Sequence, residues 1–579
     1  MGLNIEKLVN FIKKYENLFS YLILVIIFFT TFSVYYKLMG PFLIDYGREY
    51  IVPKSMNEGM VLYKDIACIY TPLAFQLNAL LFKIFGASLD LLWASGVCNA
   101  LIILFTIFNI AKMFTSTIVS LVLCSFCVVV LMINPTLFNY IYPYSFSCTY
   151  GLACYMLGAY FVLKYLKNSE SMTNLYVASF FASLAIDFKS EFIALTFIIY
   201  IALVVTKNFK LKYFIFLSCI FLLFPLVSFL SLYLQGLHFS EISIVYKYMT
   251  DIISSDTSIW YQKWHGMLFV GPKFIEGCFW LFCTVLLFVA LFFIYNYKVK
   301  NKILLLPKIV ILVYSICFLQ FYILSKSKPV TIALILCCLF FIKFLKTKKE
   351  LLFLFLLSIG VSIRTFFLSN SFCSYGVFYT PLFLITIFSF LIMYFKDKYP
   401  DYHENMKSYI VLFLSILTIC FFIQTNPYNA LRELSYIPYY KVKTRYGSVR
   451  TLNEYGLAVQ NICNFIMKYT PENSKLLVIP EGEMINILTN RKSDMMLYSL
   501  NQMFLEGYGE DYVVNRIKSE KIDYIVYYSG FDFFNYGKSY YYPKLLKLLD
   551  ENYQKIYVVQ HGTTLYNVSR MFLYKIKSN

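Results

Sequence analysis

Charge and histidine are scarce in this chain. Charged side chains make up 14% of its 579 residues and hydrophobic ones 59%, where soluble domains are roughly 45–50% apolar. That balance excludes an ordinary soluble protein and leaves a membrane composition. Carboxylates are in short supply too: 32 acidic residues face 51 basic ones, a formal net charge of +19. No basic helix or nucleic-acid motif accompanies the excess. Loop lysines facing an anionic leaflet account for it better than DNA or RNA does, so nucleic acid is excluded as a partner. The four histidines, His238, His265, His403 and His561, do not cluster in sequence and mark neither a metal site nor a general base. Cysteine is more frequent, but most copies (Cys98, Cys124, Cys127, Cys219, Cys283, Cys337, Cys338, Cys420) fall in apolar runs, where a thiol behaves as a small hydrophobe. The polar C-terminal region holds only Cys463. Neither a disulfide scaffold nor a zinc site is indicated. The apolar stretch behind Lys7, Lys13 and Lys14 has no small-residue cleavage site and reads as a retained first span, not a signal peptide. Internal repeats and low-complexity tracts are absent as well.

What is present in quantity is apolar sequence in span-length runs. A span needs about 20 apolar residues. About thirteen candidates lie near 18–37, 91–111, 116–133, 148–165, 173–187, 190–206, 213–234, 276–297, 305–324, 329–345, 351–368, 377–395 and 408–424. With the N-terminus inside, the inner connections carry Lys112; Lys164 and Lys167; Lys207, Lys210 and Lys212; Lys298, Lys300, Lys302 and Lys308; Lys346, Lys348 and Lys349; and Lys396, Lys398 and Lys407. The outer connections carry far fewer: none around 134–147, then Lys189, Lys326 and Lys328. This is the positive-inside pattern. It divides the chain into a transmembrane module over 1–425 and an extracytoplasmic domain over 426–579. The loops 38–90 and 235–275 join that domain on the outer side.

Within the loop 38–90, Pro53 to Gly59 can form a short helix, with proline early and glycine at its end. Leu73 to Phe85 is apolar except for Gln76, Asn78 and Lys83, and Gly86 stops it. Too short to span, it suits a helix lying in the membrane interface. The tail alternates strand and helix: helix at 451–469, strand at 475–480, helix at 482–489, helix near 510–519, strand at 524–528, helix near 543–551, then strands at 555–559 and 572–576. That order predicts a small α/β sheet domain.

Ionisable groups at membrane depth are costly and count as functional candidates. Asp45, in Gly40-Pro-Phe-Leu-Ile-Asp45-Tyr-Gly-Arg48-Glu49-Tyr, sits where the first span meets water. It can be a base there or a surface carboxylate paired with Arg48; Glu49, Glu58 and Asp65 share its loop. Asp187-Phe-Lys189-Ser-Glu191 packs three charges into five residues between two apolar helices. Lys189 there is either snorkelling or placed for a lipid phosphate by its acidic neighbours. Arg364 lies about one turn below the outer end of its span. It too is either snorkelling or gripping phosphate through its bidentate fork. Pro480-Glu-Gly482-Glu483 stands where a strand turns into a helix. Ligands dock at such ends in open α/β sheets, and structural turns take the same form.

The first loop resembles GT-C-fold glycosyltransferases, closest to the branch with protein O-mannosyltransferases, the lipid A aminoarabinose transferase and bacterial family-39-like membrane proteins. The residues that carry the resemblance are Asp45-Tyr-Gly-Arg-Glu-Tyr, Gly59, Leu62-Tyr-Lys-Asp65-Ile, Tyr70-Thr-Pro-Leu and Asn78-Ala-Leu-Leu-Phe-Lys-Ile-Phe-Gly86. The tail is similar at Lys475-Leu-Leu-Val-Ile-Pro-Glu481-Gly and Asn486-Ile-Leu-Thr-Asn490-Arg491. Protein O-mannosyltransferases commonly show two adjacent acids in this loop, whereas here Tyr46 follows Asp45, so Glu49 and Asp65 are secondary acid candidates. The resemblance implies a polytopic GT-C-like fold with an outer α/β domain, in a bacterial cytoplasmic membrane. It implies a polyprenyl-phosphate-sugar donor, an outer acceptor (glycan, lipid or protein) and a single inverting displacement. Asp45 would be the base; Lys189, Arg364 and Arg48 would bind the donor phosphate, supported by Asp187 and Glu191. No metal ligand is assigned, and a divalent metal stays open as a cofactor. A flippase of lipid-linked sugars and a polysaccharide polymerase are the alternatives. The flippase would commonly show two related halves, which this sequence does not.

Overall fold

A helix occupies each of the thirteen places where the hydropathy pattern predicts a span. The computed structural model describes residues 14–168, 171–298, 305–319, 323, 326–340, 348–370, 374–425, 440–451, 455–529, 543–561 and 569–577. Lys7, Lys13, Lys300, Lys302 and Lys346 of the predicted lysine pattern lie outside these residues. Among the described residues, seven helices are long and apolar enough to cross a membrane: Glu16–Tyr35, Leu89–Phe114, Phe146–Lys167, Leu211–Leu234, Gly271–Asn296, Gly376–Lys398 and Pro400–Ile423. The others in predicted places are shorter. Met172–Phe188, with 17 residues, rises about 25 Å, less than the roughly 30 Å hydrocarbon core. It stops because the chain turns extended at Lys189 (φ −159°, ψ 121°) and resumes as the short 3₁₀ turn Ser190–Ile193. The break falls on the charged triplet.

The long helices divide by burial. Phe146–Lys167 is 83% buried in its apolar window and Gly376–Lys398 72%, whereas Leu211–Leu234 and Gly271–Asn296 are each 17% buried. The first two are therefore central. The other two are apolar all round and expose that surface outward, as a lipid-facing helix does.

The first loop forms two helices, Arg48–Asn57 and Leu73–Phe85. The second exposes Leu80, Ile84 and Phe85, the apolar face expected of an interfacial helix. In the tail, a four-stranded sheet has the order β4-β5-β7-β6, where β4 is Leu476–Ile479, β5 Tyr524–Ser529, β6 Tyr553–His561 and β7 Ser569–Ile576. β4 and β5 are parallel, and β7 runs antiparallel to both β5 and β6. Helices Tyr455–Tyr469, Glu483–Thr489, Glu510–Ser519 and Pro543–Asn552 accompany it. The polytopic helical class with a C-terminal α/β domain is thus the observed one.

One feature is absent from the sequence reading. A hairpin of β2 (Tyr440–Thr444) and β3 (Gly447–Thr451) continues into β1, Leu38–Met39, of the first loop. Leu38 pairs with Arg450 and Met39 with Thr451 in parallel register. Arg450 adds a hydrogen bond from Nε to the Tyr36 carbonyl at 3.0 Å. The C-terminal domain is therefore stitched to the loop that carries Asp45.

Candidate active site

Asp45 lies six residues beyond that stitch, in left-handed backbone (φ +58°), a region few non-glycine residues adopt and in which aspartate is enriched. The turn delivers its carboxylate to Arg48, whose Nη1 donates to Oδ1 at 2.6 Å. Among the described residues Oδ2 has no partner, and the side chain is 25% exposed. Arg48 is itself anchored from three sides. Its Nε donates to Glu49 Oε1 at 3.0 Å, its Nη2 donates to the Tyr144 carbonyl at 2.5 Å, and its guanidinium lies 4.5 Å from the Tyr70 ring centroid. Asp45 is thus a held carboxylate with one oxygen open.

Glu49 is different in kind. It is fully buried, with Oε1 on Arg48 and Oε2 accepting from the Phe146 N–H at 2.9 Å. Burial pushes its carboxyl up, against the pull of Arg48 and that N–H. Both oxygens are spent on holding the first loop against helix Phe146–Lys167. Removing one side of a buried ion pair costs about 3–5 kcal/mol. Glu49→Leu is therefore expected to lower the thermal unfolding midpoint in detergent markedly, as read by fluorescence-detected size exclusion. Asp65 is exposed and local: its Oδ2 accepts from the Val61 N–H at 2.8 Å, closing a turn. The structure does not bring it to Asp45.

Lys189, Glu191 and Arg364 do converge. Lys189 Nζ stands 3.3 Å from Glu191 Oε1, and Arg364 Nη1 donates to Glu191 Oε2 at 3.1 Å. Lys189 Nζ donates to the Tyr144 hydroxyl at 2.5 Å, and Arg364 Nη1 approaches the same hydroxyl at 3.4 Å. Arg364 Nη2 donates to the Tyr375 hydroxyl at 3.3 Å, with the guanidinium 4.2 Å from that ring's centroid. Two cations share one carboxylate, leaving one net positive charge. Across Tyr144, Arg48 serves two carboxylates, Asp45 and Glu49, leaving one net negative charge. Tyr144 joins the two clusters, its carbonyl on Arg48 and its hydroxyl on Lys189. Asp187 is tied elsewhere, accepting a hydrogen bond from Ser228 Oγ on helix Leu211–Leu234. It holds the helix end from which Lys189 departs.

Of the histidines, His265 lies beside this site. Its Nδ1 is 2.9 Å from Ser374 Oγ, and its ring is 4.2 Å from that of Tyr261, whose hydroxyl meets the Tyr375 hydroxyl at 2.8 Å. Burial, with Arg364 and Lys273 nearby, pulls its imidazole down to about 4, so it is neutral at physiological pH. His238 precedes helix Phe239–Ser254, where its N–H donates to Glu241 Oε2 at 2.7 Å. Cys124-Ser-Phe-Cys127 has two-residue spacing, but both thiols are buried among apolar side chains. Among the described residues no group of three or more His, Cys, Asp or Glu side chains is arranged to hold a metal ion.

The aromatic partners Tyr144 and Tyr375 are not singled out by the sequence reading, and Tyr70 enters it only within the motif that carries the resemblance. The available signal was the lysine-free stretch 134–147, with tyrosines at 140, 142 and 144. Glu481 and Glu483 stand in the sequence as a strand-to-helix turn open to a ligand-docking or a structural reading, with no link to Asp45. That turn follows β4 and docks on the first loop. The Asp45 N–H donates to Glu481 Oε1 at 3.1 Å. Gly47 packs so closely that a Cβ there would stand 2.7 Å from Glu483 Cβ and from the Met484 N. Gly47→Val should wedge the domain away from the loop. The expected result is faster limited proteolysis of the C-terminal domain, with the membrane part still folded.

No protein-family model matches the sequence, and no curated protein matches it. Among solved structures, the oligosaccharyltransferase of Archaeoglobus fulgidus in complex with Zn and sulfate aligns with 87% of this chain and 67% of its own, at 11% identity and TM-score 0.48. ArnT from Cupriavidus metallidurans bound to undecaprenyl phosphate aligns with 96% of this chain and 97% of its own, at 9% identity and TM-score 0.41. Both are GT-C glycosyltransferases.

Proposed function

We propose that the chain is an integral-membrane glycosyltransferase of the GT-C type. It transfers a hexosyl or pentosyl group from a polyprenyl-phosphate donor to a hydroxyl of an extracytoplasmic glycan, lipid or protein. The first loop and the C-terminal domain then face outward from a bacterial cytoplasmic membrane, with the N-terminus inside. The reading is carried by the pairing of an open carboxylate with a two-cation cluster across Tyr144.

The chemistry divides along that line. Asp45 Oδ2 takes the acceptor hydroxyl proton as the oxygen attacks the anomeric carbon. The bond from that carbon to the phosphate oxygen breaks, and its electron pair leaves with the lipid phosphate. Lys189 and Arg364, already desolvated and oriented, stabilise the charge that develops there. Arg48 keeps Asp45 aimed, and Glu191 holds the two cations side by side. The scheme routes no step through a metal ion, and the assay repeated with a chelator tests for one.

The test is incubation of purified protein with a panel of polyprenyl-phosphate sugars, scored by release of free lipid phosphate. Release coupled to a new glycoside is the expected result. Movement of labelled lipid across a vesicle membrane without bond cleavage would identify a flippase instead, and a lengthening glycan on a lipid diphosphate would identify a polymerase. In the same assay Glu191→Gln is expected to weaken transfer, because Lys189 and Arg364 lose the charge that holds them side by side. A rate equal to wild type would remove Glu191 from the site.

A further inference from the structure

Resting on that assignment of Asp45, we propose that Glu481 of the C-terminal domain is a positioning residue for the reaction: it accepts the Asp45 N–H and fixes the turn that aims the base. The geometry is specific. Glu481 is 2% exposed and reaches Asp45 across 436 residues of sequence. It sits directly after β4, and the Leu500 N–H donates to the Pro480 carbonyl at 2.8 Å, so its backbone is braced from within the domain. The N–H it accepts belongs to a residue in left-handed backbone, where a change of a few tens of degrees would re-aim the carboxylate.

The charge requirement follows from the surroundings. The groups facing Glu481 are Asp45 and Arg48 from the first loop, and Glu483 and Asn501 from its own domain. Arg48 is already committed to Asp45 and Glu49, so among the described residues no cation is left to pair with a further carboxylate there. Burial first, and the Asp45 charge second, push the Glu481 carboxyl up to about 8. Glu483, equally buried and with Oε2 lacking a hydrogen-bond partner, is also pushed up by burial. Burial thus favours the neutral form of both acids that stand beside Asp45. As pH rises through about 8, Glu481 ionises, places a second negative charge against Asp45 and repels the departing phosphate. Turnover should fall over that window.

Two variants and one spectroscopic measurement test this. Glu481→Gln keeps the acceptor oxygen and cannot ionise. It is expected to match wild-type kcat at neutral pH and to lose the alkaline decline. Glu481→Leu removes the acceptor. It is expected to lower kcat on the order of 10- to 100-fold with donor KM little changed. Independently of activity, the infrared carbonyl band of a protonated carboxylic acid that disappears in Glu481→Gln should vanish in wild type as pH rises. In Asp45→Asn it should vanish at lower pH, because the neighbouring charge is gone. An alkaline limb retained in Glu481→Gln, full activity of Glu481→Leu, or no such band at neutral pH would each overturn the proposal. If Asp45→Asn stays active while the band still shifts, the glycosyltransfer assignment of Asp45 fails and the contact between the two residues stands.

Discussion

Asp45→Asn is expected to lower sugar transfer by about 10²- to 10⁴-fold, the range a positioned general base supplies, and to leave folding intact. The substitution is nearly isosteric. The amide carbonyl would still offer Arg48 an acceptor where Oδ1 now receives Nη1 at 2.6 Å, and the backbone N–H would still reach Glu481. What is lost is proton affinity at the open second oxygen. Donor affinity should change little, since the cations proposed to meet the phosphate lie on the far side of Tyr144. The measurement is single-turnover transfer with saturating donor, paired with size exclusion and thermal unfolding to show that the protein is intact. Undiminished transfer by a well-folded Asp45→Asn protein would remove Asp45 from catalysis.

Arg364→Ala is expected to act on the donor. The guanidinium makes charge-assisted contacts to Glu191 and lies over the Tyr375 ring. Its deletion also leaves Glu191 with Lys189 as its only cation. A charged hydrogen bond contributes about 1.5–3 kcal/mol, which corresponds to about a 10- to 100-fold rise in donor Kd. Arg364→Lys should recover only part of this, because an ammonium lacks the planar fork that can grip phosphate while still meeting Glu191. Competition between a labelled and an unlabelled polyprenyl phosphate provides the readout. Equal affinity in wild type and Arg364→Ala would place the phosphate elsewhere.

Much of this architecture was legible in the sequence for simple reasons. Apolar runs bounded by lysines locate helices whatever their packing, and all thirteen places hold one. The end of Met172–Phe188 was legible as well, because the charged triplet interrupts the apolar runs 173–187 and 190–206 where Lys189 turns extended. In the tail, Leu476–Ile479 and Tyr524–Ser529 announce themselves as compact apolar strands. β1 does not, since two residues of a loop become a strand only when β3 arrives beside them.

The same division holds at the site. Lys189, Glu191 and Arg364 stood out because charge is rare in apolar surroundings, and the structure brings the two cations to one tyrosine with Glu191 shared between them. Asp187, from the same triplet, pairs with Ser228 instead; only the third dimension separates the two roles. Glu49 and Asp65 look equivalent on paper, yet one is sealed against Phe146 and the other closes an exposed turn. Tyr144 and Glu481 act through contacts 96 and 436 residues away, which no local pattern encodes.

The most direct test of the central assignment is the anomeric configuration of the product. A donor of one defined anomer is supplied to the purified protein, and the new glycosidic linkage is read by NMR coupling constants. A single displacement driven by Asp45 predicts complete inversion at that carbon, with one free polyprenyl phosphate released per linkage formed. Retention of configuration would require a second nucleophile and a covalent intermediate, and would contradict the account.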